Sequence, residues 1–153
     1  MLYLTKIKTP FRGSIMNIEY KTIKELPCGQ LSELFDAVGW SDDSGEMTPA
    51  MLANFNKPFI NSTFVFSAWD NNKLVGCIRA LSDKIFRSVI FDLAVLPQYQ
   101  KCGIGSSLLK KCIESCPDSE WTLGTIPERI SFYSRFGFEV HNGLYMRKPC
   151  KWF

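Results

Sequence analysis

The stretch Asp92–Leu109, DLAVLPQYQKCGIGSSLL, decides how the rest of the chain reads. It starts inside SVIFDLAVL (88–96), a run apolar on both faces apart from Asp92, which predicts a strand buried within a sheet. Pro97 predicts the strand's end. Ile104, Leu108 and Cys112, with Leu109 beside them, recur at helical spacing and predict a helix. Between the two elements stand two glycines, a cysteine and two serines. A helix N-terminus carries unpaired N–H groups and the positive end of the helix dipole, so a loop of small residues there lets an anion reach bare backbone. Gly103 and Gly105 remove the obstructing Cβ atoms, Ser106 and Ser107 add hydroxyls, and Lys101 and Lys110 or Lys111 add charge. A tight strand-to-helix turn asks for the same glycines, so the spacing alone leaves both readings open. Two phosphate motifs are excluded: no Gly-Lys-Ser/Thr follows, and Leu108 stands where a GxGxxG fingerprint needs glycine.

Working outward, 153 residues suit one core, with 46% hydrophobic and 22% charged residues as in ordinary globular chains. A net charge of +3 suits a small anionic ligand but is too mild for a nucleic-acid binder. Six cysteines without a CxxC and a single histidine, His141, predict free thiols and no metal site. No apolar stretch is long enough to span a membrane, and no secretory signal is evident, so a soluble, cytoplasmic protein is expected.

Residues 1–15 read as an N-terminal extension, flexible or loosely packed, and residues 16–153 as the domain. NIEYKTI alternates as a strand with Ile18 and Tyr20 on one face, and LPCGQLSELFDAVGW reads as a helix stopped by Gly39. SDDSGE is a polar loop. Thr48-Pro49 is an N-cap and first-turn pair for a short helix to about Phe55. TFVFSAW and KLVGCIRAL flank DNN as a hairpin, EWTLGTI is a strand, and PERISFYSRF is a helix from Pro127 broken at Gly137. FEVHNGLYMRK closes the chain as a hairpin turning at Asn142-Gly143. This order predicts a mixed α/β sheet, mostly antiparallel with a parallel centre, covered by helices.

DLAVLPQYQKCGIGSSLL resembles the acyl-CoA-binding motif of the GNAT superfamily of N-acetyltransferases, whose Q/R-x-x-G-x-G/A pattern falls on Gln100, Gly103 and Gly105. ISFYSRFGFEV resembles that family's second motif, with Phe132-Tyr133 followed by Gly137-Phe138, and the element order agrees from Asn17 onward. The resemblance implies a GNAT-like, mostly antiparallel mixed sheet of about six to seven strands with about four helices. It also implies an N-acetyltransferase using acetyl-CoA, with the cofactor's diphosphate on the backbone of Gln100, Lys101, Cys102, Gly103, Ile104, Gly105 and Ser106. The pantetheine arm would run along Leu93, Ala94 and Val95 as an added strand, with an oxyanion donor near Val95. The chain departs from many relatives at Ile126, where they carry asparagine. A non-catalytic acyl-CoA-binding module on the same fold is the competing reading.

Acyl transfer to an amine needs a neutral nucleophile. A lysine-like amine is neutral about once in 10³ at pH 7, a cost of roughly 4–5 kcal/mol. Asp92, the only acid in its run, is the expected general base, or else a carboxylate that orients backbone; Glu128 and His141 are further candidates. The resemblance puts the Tyr133 hydroxyl beside the CoA sulfur. A phenol near ~10 is a weaker acid than a thiol near ~8.5, so a hydrogen bond to the thiolate suits it better than full proton transfer. Packing within an aromatic cluster is its alternative role. The resemblance puts GWSDDSGEM where relatives shape their acceptor pocket, which implies Trp40 and Asp42 as acceptor-binding residues, unless the stretch is only a solvated loop. The expected partners are a small-molecule or protein amine, with no nucleic acid, membrane or metal, and a homodimer left open.

Overall fold

The computed structural model describes residues 3–8, 15–40, 47–143, 146 and 148. Six strands form one sheet in the order β1-β2-β3-β4-β5-β6. They are β1 (Tyr3–Lys8), β2 (Ile15–Lys21), β3 (Phe64–Asp70), β4 (Lys73–Ser82), β5 (Arg87–Val95) and β6 (Glu120–Leu123). Neighbours are antiparallel up to β5, and β5 and β6 are parallel. This is the mixed, mostly antiparallel architecture expected, except that the parallel pair lies at one end of the sheet instead of its centre. The helices are α1 (Cys28–Ala37), α2 (Pro49–Ala53), α3 (Lys57–Ile60), α4 (Ile104–Glu114) and α5 (Ile130–Ser134), with 3-10 turns at Pro97–Tyr99 and Pro127–Arg129. Among the described residues no helix is long and apolar enough to cross a membrane.

Local chemistry accounts for most boundaries. The Thr48 hydroxyl accepts the Met51 N–H at 3.2 Å and starts α2 at Pro49. Gly39 at φ 78° ends α1, since the left-handed region costs glycine no Cβ clash. Asn71 at φ 53° makes the tight β3–β4 turn. On one face of the sheet α4 buries Ile104, Leu108, Leu109 and Cys112, the stripe read from its sequence. α1 buries Leu31 and Leu34, and Phe35 meets Trp40, Phe55 and Phe59 with ring centroids 5.1, 5.6 and 6.1 Å away.

Within residues 1–15, read as an extension, Tyr3–Lys8 pair with the outer edge of β2, whose backbone groups need partners. Three other expectations are corrected. The helix expected from Thr48 to Phe55 is shorter, and α3 follows it, begun at the Lys57-Pro58 step. The closing hairpin is not formed among the described residues: Phe138–Gly143 carry no strand, and the Gly143 N–H is taken by His141 Nδ1 at 3.0 Å. The second arm of that expected hairpin falls largely outside the described residues. Finally, β5 is not buried on both faces. The register slips between Arg79 and Ala80, which pair with Asp92 and Ile90, so Phe91 bulges out and is 54% exposed.

Beside the bulge, the Arg79 guanidinium bonds the Asp92 carboxylate through Nε and Oδ2 and lies between the rings of Phe59 and Phe91, 5.6 and 5.1 Å from their centroids. Burial pushes the Asp92 carboxyl above its ordinary range, and Arg79 pulls it back in part. Replacing Arg79 with methionine strands that carboxylate, whose side chain is 18% exposed. The expected loss of stability is about 3–5 kcal/mol near pH 8. With Asp92 raised still further, the folded state binds its proton more tightly than the unfolded one. The deficit of Arg79→Met should therefore shrink as pH falls through the folded value. Urea denaturation at pH 5 and pH 8 checks this; an equal deficit at both counts against it.

Candidate active site

β6 ends at Leu123, paired with Ile90, while β5 runs on to Val95. The two strands part, and a cleft of about 710 Å³ opens between them. Its walls are Leu93, Ala94 and Val95 from β5, Gln100, Lys101, Gly103, Gly105 and Ser106 before and within α4, Gly124 to Ile126 after β6, and Arg129, Phe132, Tyr133 and Arg135 around α5. Val38 and Trp40 reach it from the end of α1.

Along β5 the backbone alternates. Leu96 donates its N–H to Val75 at 2.9 Å, toward β4, so Val95 and Leu93 point their N–H and C=O the other way, into the cleft. The Val95 carbonyl is already held by Gln100 Nε2 at 2.9 Å. At the neighbouring end, α4 begins at Gly103 in the left-handed region, φ 81°, and no side chain caps its first amides. Lys101, at φ 60°, completes the reversal and lines the cleft. A Cβ on Gly105 would lie 3.7 Å from both Phe132 Cζ and Val95 Cγ2, so this glycine keeps the floor between α4 and α5 open. Gly76 does the same work beneath it. A Cβ there would stand 3.1 Å from the Ala94 carbonyl and 3.3 Å from Leu108 Cδ1, tight enough that a neighbour would have to give way.

The structure therefore gathers Leu93, Ala94, Val95, Gln100, Lys101, Gly103, Gly105, Ser106, Trp40 and Tyr133 in one cleft. Ile104 is instead buried in the core, and Cys102 turns its thiol to the Gln100 carbonyl at 3.4 Å. Tyr133 packs edge-on to Phe132 and Phe138, with centroids 5.0 and 5.9 Å apart, so it belongs to an aromatic cluster and lines the cleft as well. Burial raises its phenol above the ordinary value, partly opposed by the Arg129 guanidinium. No hydrogen-bond partner holds its hydroxyl among the described residues.

Asp92 differs. It alternates away from Leu93 and Val95 onto the face covered by α3, where Arg79 engages it, and it is not part of the cleft wall. The base expected from its lone-acid position in the run is thus occupied as an ion pair. Asp42 lies outside the described residues. Trp40 is 48% exposed at the cleft mouth, propped by Phe35. Arg129 and Arg135 were not singled out in the sequence. The i, i+4 relation of Arg129 to Tyr133 was the available signal. The five described cysteines are free thiols, and no group of three His, Cys, Asp or Glu that could hold a metal occurs among the described residues.

A family model described as an acetyltransferase (GNAT) domain matches residues 61–140, which carry every cleft residue named above except Val38 and Trp40. An uncharacterized N-acetyltransferase, ycf52, of Pyropia yezoensis is 30% identical over 79% of this chain and 72% of its own length. A GNAT family acetyltransferase, SP0256 of Streptococcus pneumoniae, superposes with a TM-score of 0.70 at 28% identity, covering 88% of this chain and 98% of that one. Naa50 of Arabidopsis thaliana, in complex with the bisubstrate analogue CoA-Ac-MVNAL, has the same fold, with a TM-score of 0.58 at 23% identity over 82% of this chain and 85% of that one. The chain belongs to the GNAT acetyltransferase family and is an N-acetyltransferase.

Proposed function

We propose that the protein transfers an acetyl group from acetyl-CoA to a primary amine by direct attack, with both substrates in the cleft at once. The observation that carries this reading is the convergence, around the opening between β5 and β6, of three features: the outward backbone of Leu93 and Val95, the start of α4 with no side-chain cap, and Tyr133. Acetyl-CoA would supply an activated acyl group on a good leaving group. The chain's part is to hold it. Amides of Ile104 to Ser106, with Lys101, face a diphosphate; N–H groups of Leu93 and Val95 receive amide carbonyls and the reacting oxygen. Tyr133 donates a hydrogen bond where thiolate charge develops, and Arg129 adds a cation on the same side. The amine's nitrogen forms the new bond to carbon, the carbon–sulfur bond breaks, and the displaced proton leaves to solvent. Asp92, bonded to Arg79, is assigned no proton transfer in this scheme. That the related Naa50 fold accommodates an analogue joining CoA to a peptide supports a shared cleft for donor and acceptor.

Calorimetry with acetyl-CoA, ATP and NAD, followed by thiol release over a panel of amines and peptides, tests the reading. Saturable binding of acetyl-CoA alone and turnover with at least one amine are expected. Two variants sharpen it. Gly105→Ala should raise thermal stability, since alanine favours the helix by about 0.5–1 kcal/mol. Its methyl should also narrow the cleft and weaken acetyl-CoA about tenfold. Equal or tighter binding would remove Gly105 from the cofactor seat. Tyr133→Phe should lower kcat about 10² with acetyl-CoA binding little changed. The hydroxyl donates only while protonated, so wild-type turnover should decline as pH rises through a phenol value above the ordinary one, and the phenylalanine variant should lack that basic limb.

A further inference from the structure

The loop that presents the α4 amides has little to hold it from within. Lys101 and Gly103 both take positive φ, α4 has no side-chain cap, and the Cys102 thiol bonds only two residues back. Gln100 reaches only to Val95, five residues away. Tyr99 is different. Its hydroxyl donates to Asp70 Oδ2 at 2.8 Å, across 29 residues of sequence, joining the 3-10 turn Pro97–Tyr99 to the end of β3. Among the described residues this is the side-chain hydrogen bond that ties Pro97–Gly103 to a distant element. Its receiving end is itself fixed. Asp70 opens the β3–β4 turn, and its other oxygen accepts from Asn71 Nδ2 at 3.2 Å. Lys73, across that turn, sets its ammonium 5.9 Å from the centroid of the Tyr99 ring. Neither Tyr99 nor Asp70 lines the cleft.

We infer that Tyr99 and Asp70 form a strut that holds the Gln100–Gly105 loop in its anion-receiving shape before ligand arrives, and so set acetyl-CoA affinity without taking part in acyl transfer. The inference rests on the reading of the α4 amides as the diphosphate seat. A loop released from its strut spends part of its time in other conformations, and apparent affinity falls by the fraction of time the competent one is populated. The bond survives across the assay range on the donor side, because burial and the neighbouring carboxylate push the Tyr99 phenol up to about 12. Tyr99 is thus a positioning residue, and its loss should appear in KM for acetyl-CoA and not in kcat.

The test compares the wild-type enzyme with Tyr99→Phe, Asp70→Ala, Asp70→Asn and the double variant Tyr99→Phe/Asp70→Ala. Tyr99→Phe and Asp70→Ala should each raise Kd and KM for acetyl-CoA about fivefold to tenfold, with kcat within about twofold and acceptor KM unchanged. Asp70→Asn keeps an acceptor oxygen and should retain near-wild-type affinity. The double variant should be no weaker than either single change, since both remove one bond. Hydrogen exchange of the Gln100–Ser106 amides in ligand-free protein reads the strut whatever the ligand, and should be faster in Tyr99→Phe. A wild-type protein that ignores acetyl-CoA would overturn the diphosphate seat, with the exchange result still deciding the strut. Wild-type binding with unchanged Kd and exchange in Tyr99→Phe, a fall in kcat at constant KM, or additive losses in the double variant would overturn the strut itself.

Discussion

A backbone group at a sheet edge needs a partner, and β5 carries Leu93 and Val95 beyond the point where β6 stops. The cleft of this fold follows from that mismatch in strand length. Four residues of β6 pair with the first four of β5, and the remaining edge faces a cleft instead of a strand. On its other side β5 is locked to β4 along nearly its whole length, so the open edge is rigid. On the proposed reading, an extended, amide-bearing ligand would pair with this open edge as an added strand.

The second constraint is close approach. Gly76 lets β4, β5 and α4 lie together, with Ala94, Val95 and Leu108 all within 3.3 Å of the Cβ it lacks. This brings the α4 N-terminus against the end of β5, and Gly105 keeps Phe132 at a distance that leaves space between α4 and α5. Strand edge and helix dipole thus meet at one place. A ligand with a polar arm and an anionic head matches both at once, and the cations Lys101, Arg129 and Arg135 line the same walls.

On the opposite face the Arg79–Asp92 pair has another task. The bulge at Phe91 turns the strand just before its open edge, and the ion pair, wedged between two aromatic rings, fixes the register on the cleft side of that bulge. Its charge is spent within the sheet. A lone acid in an apolar strand reads equally as a base or as a structural carboxylate. What the tertiary structure adds is Arg79, thirteen residues away in sequence and directly across the ladder, as its ion-pair partner.

The sequence by itself determined what depends on local chemistry. The α4 stripe, the Thr48 cap, the Asn71 turn, the glycines before α4 and the aromatic pair at Phe132-Tyr133 each carry their signal within a few residues. That Leu93, Ala94, Val95, Gln100, Lys101, Gly103, Gly105 and Ser106 would come together was legible for the same reason, and they line one cleft, whereas the side chains of Ile104 and Cys102 turn inward to the core and back to the loop. Only the tertiary structure decided which side of β5 Asp92 faces, that β1 joins the sheet, and that Tyr99 meets Asp70. It also decided that Arg129 shares the cleft with Tyr133. Each of these depends on a partner brought near by strand pairing or helix packing. A contact between residues far apart in the chain leaves no periodicity in either segment from which it could be read.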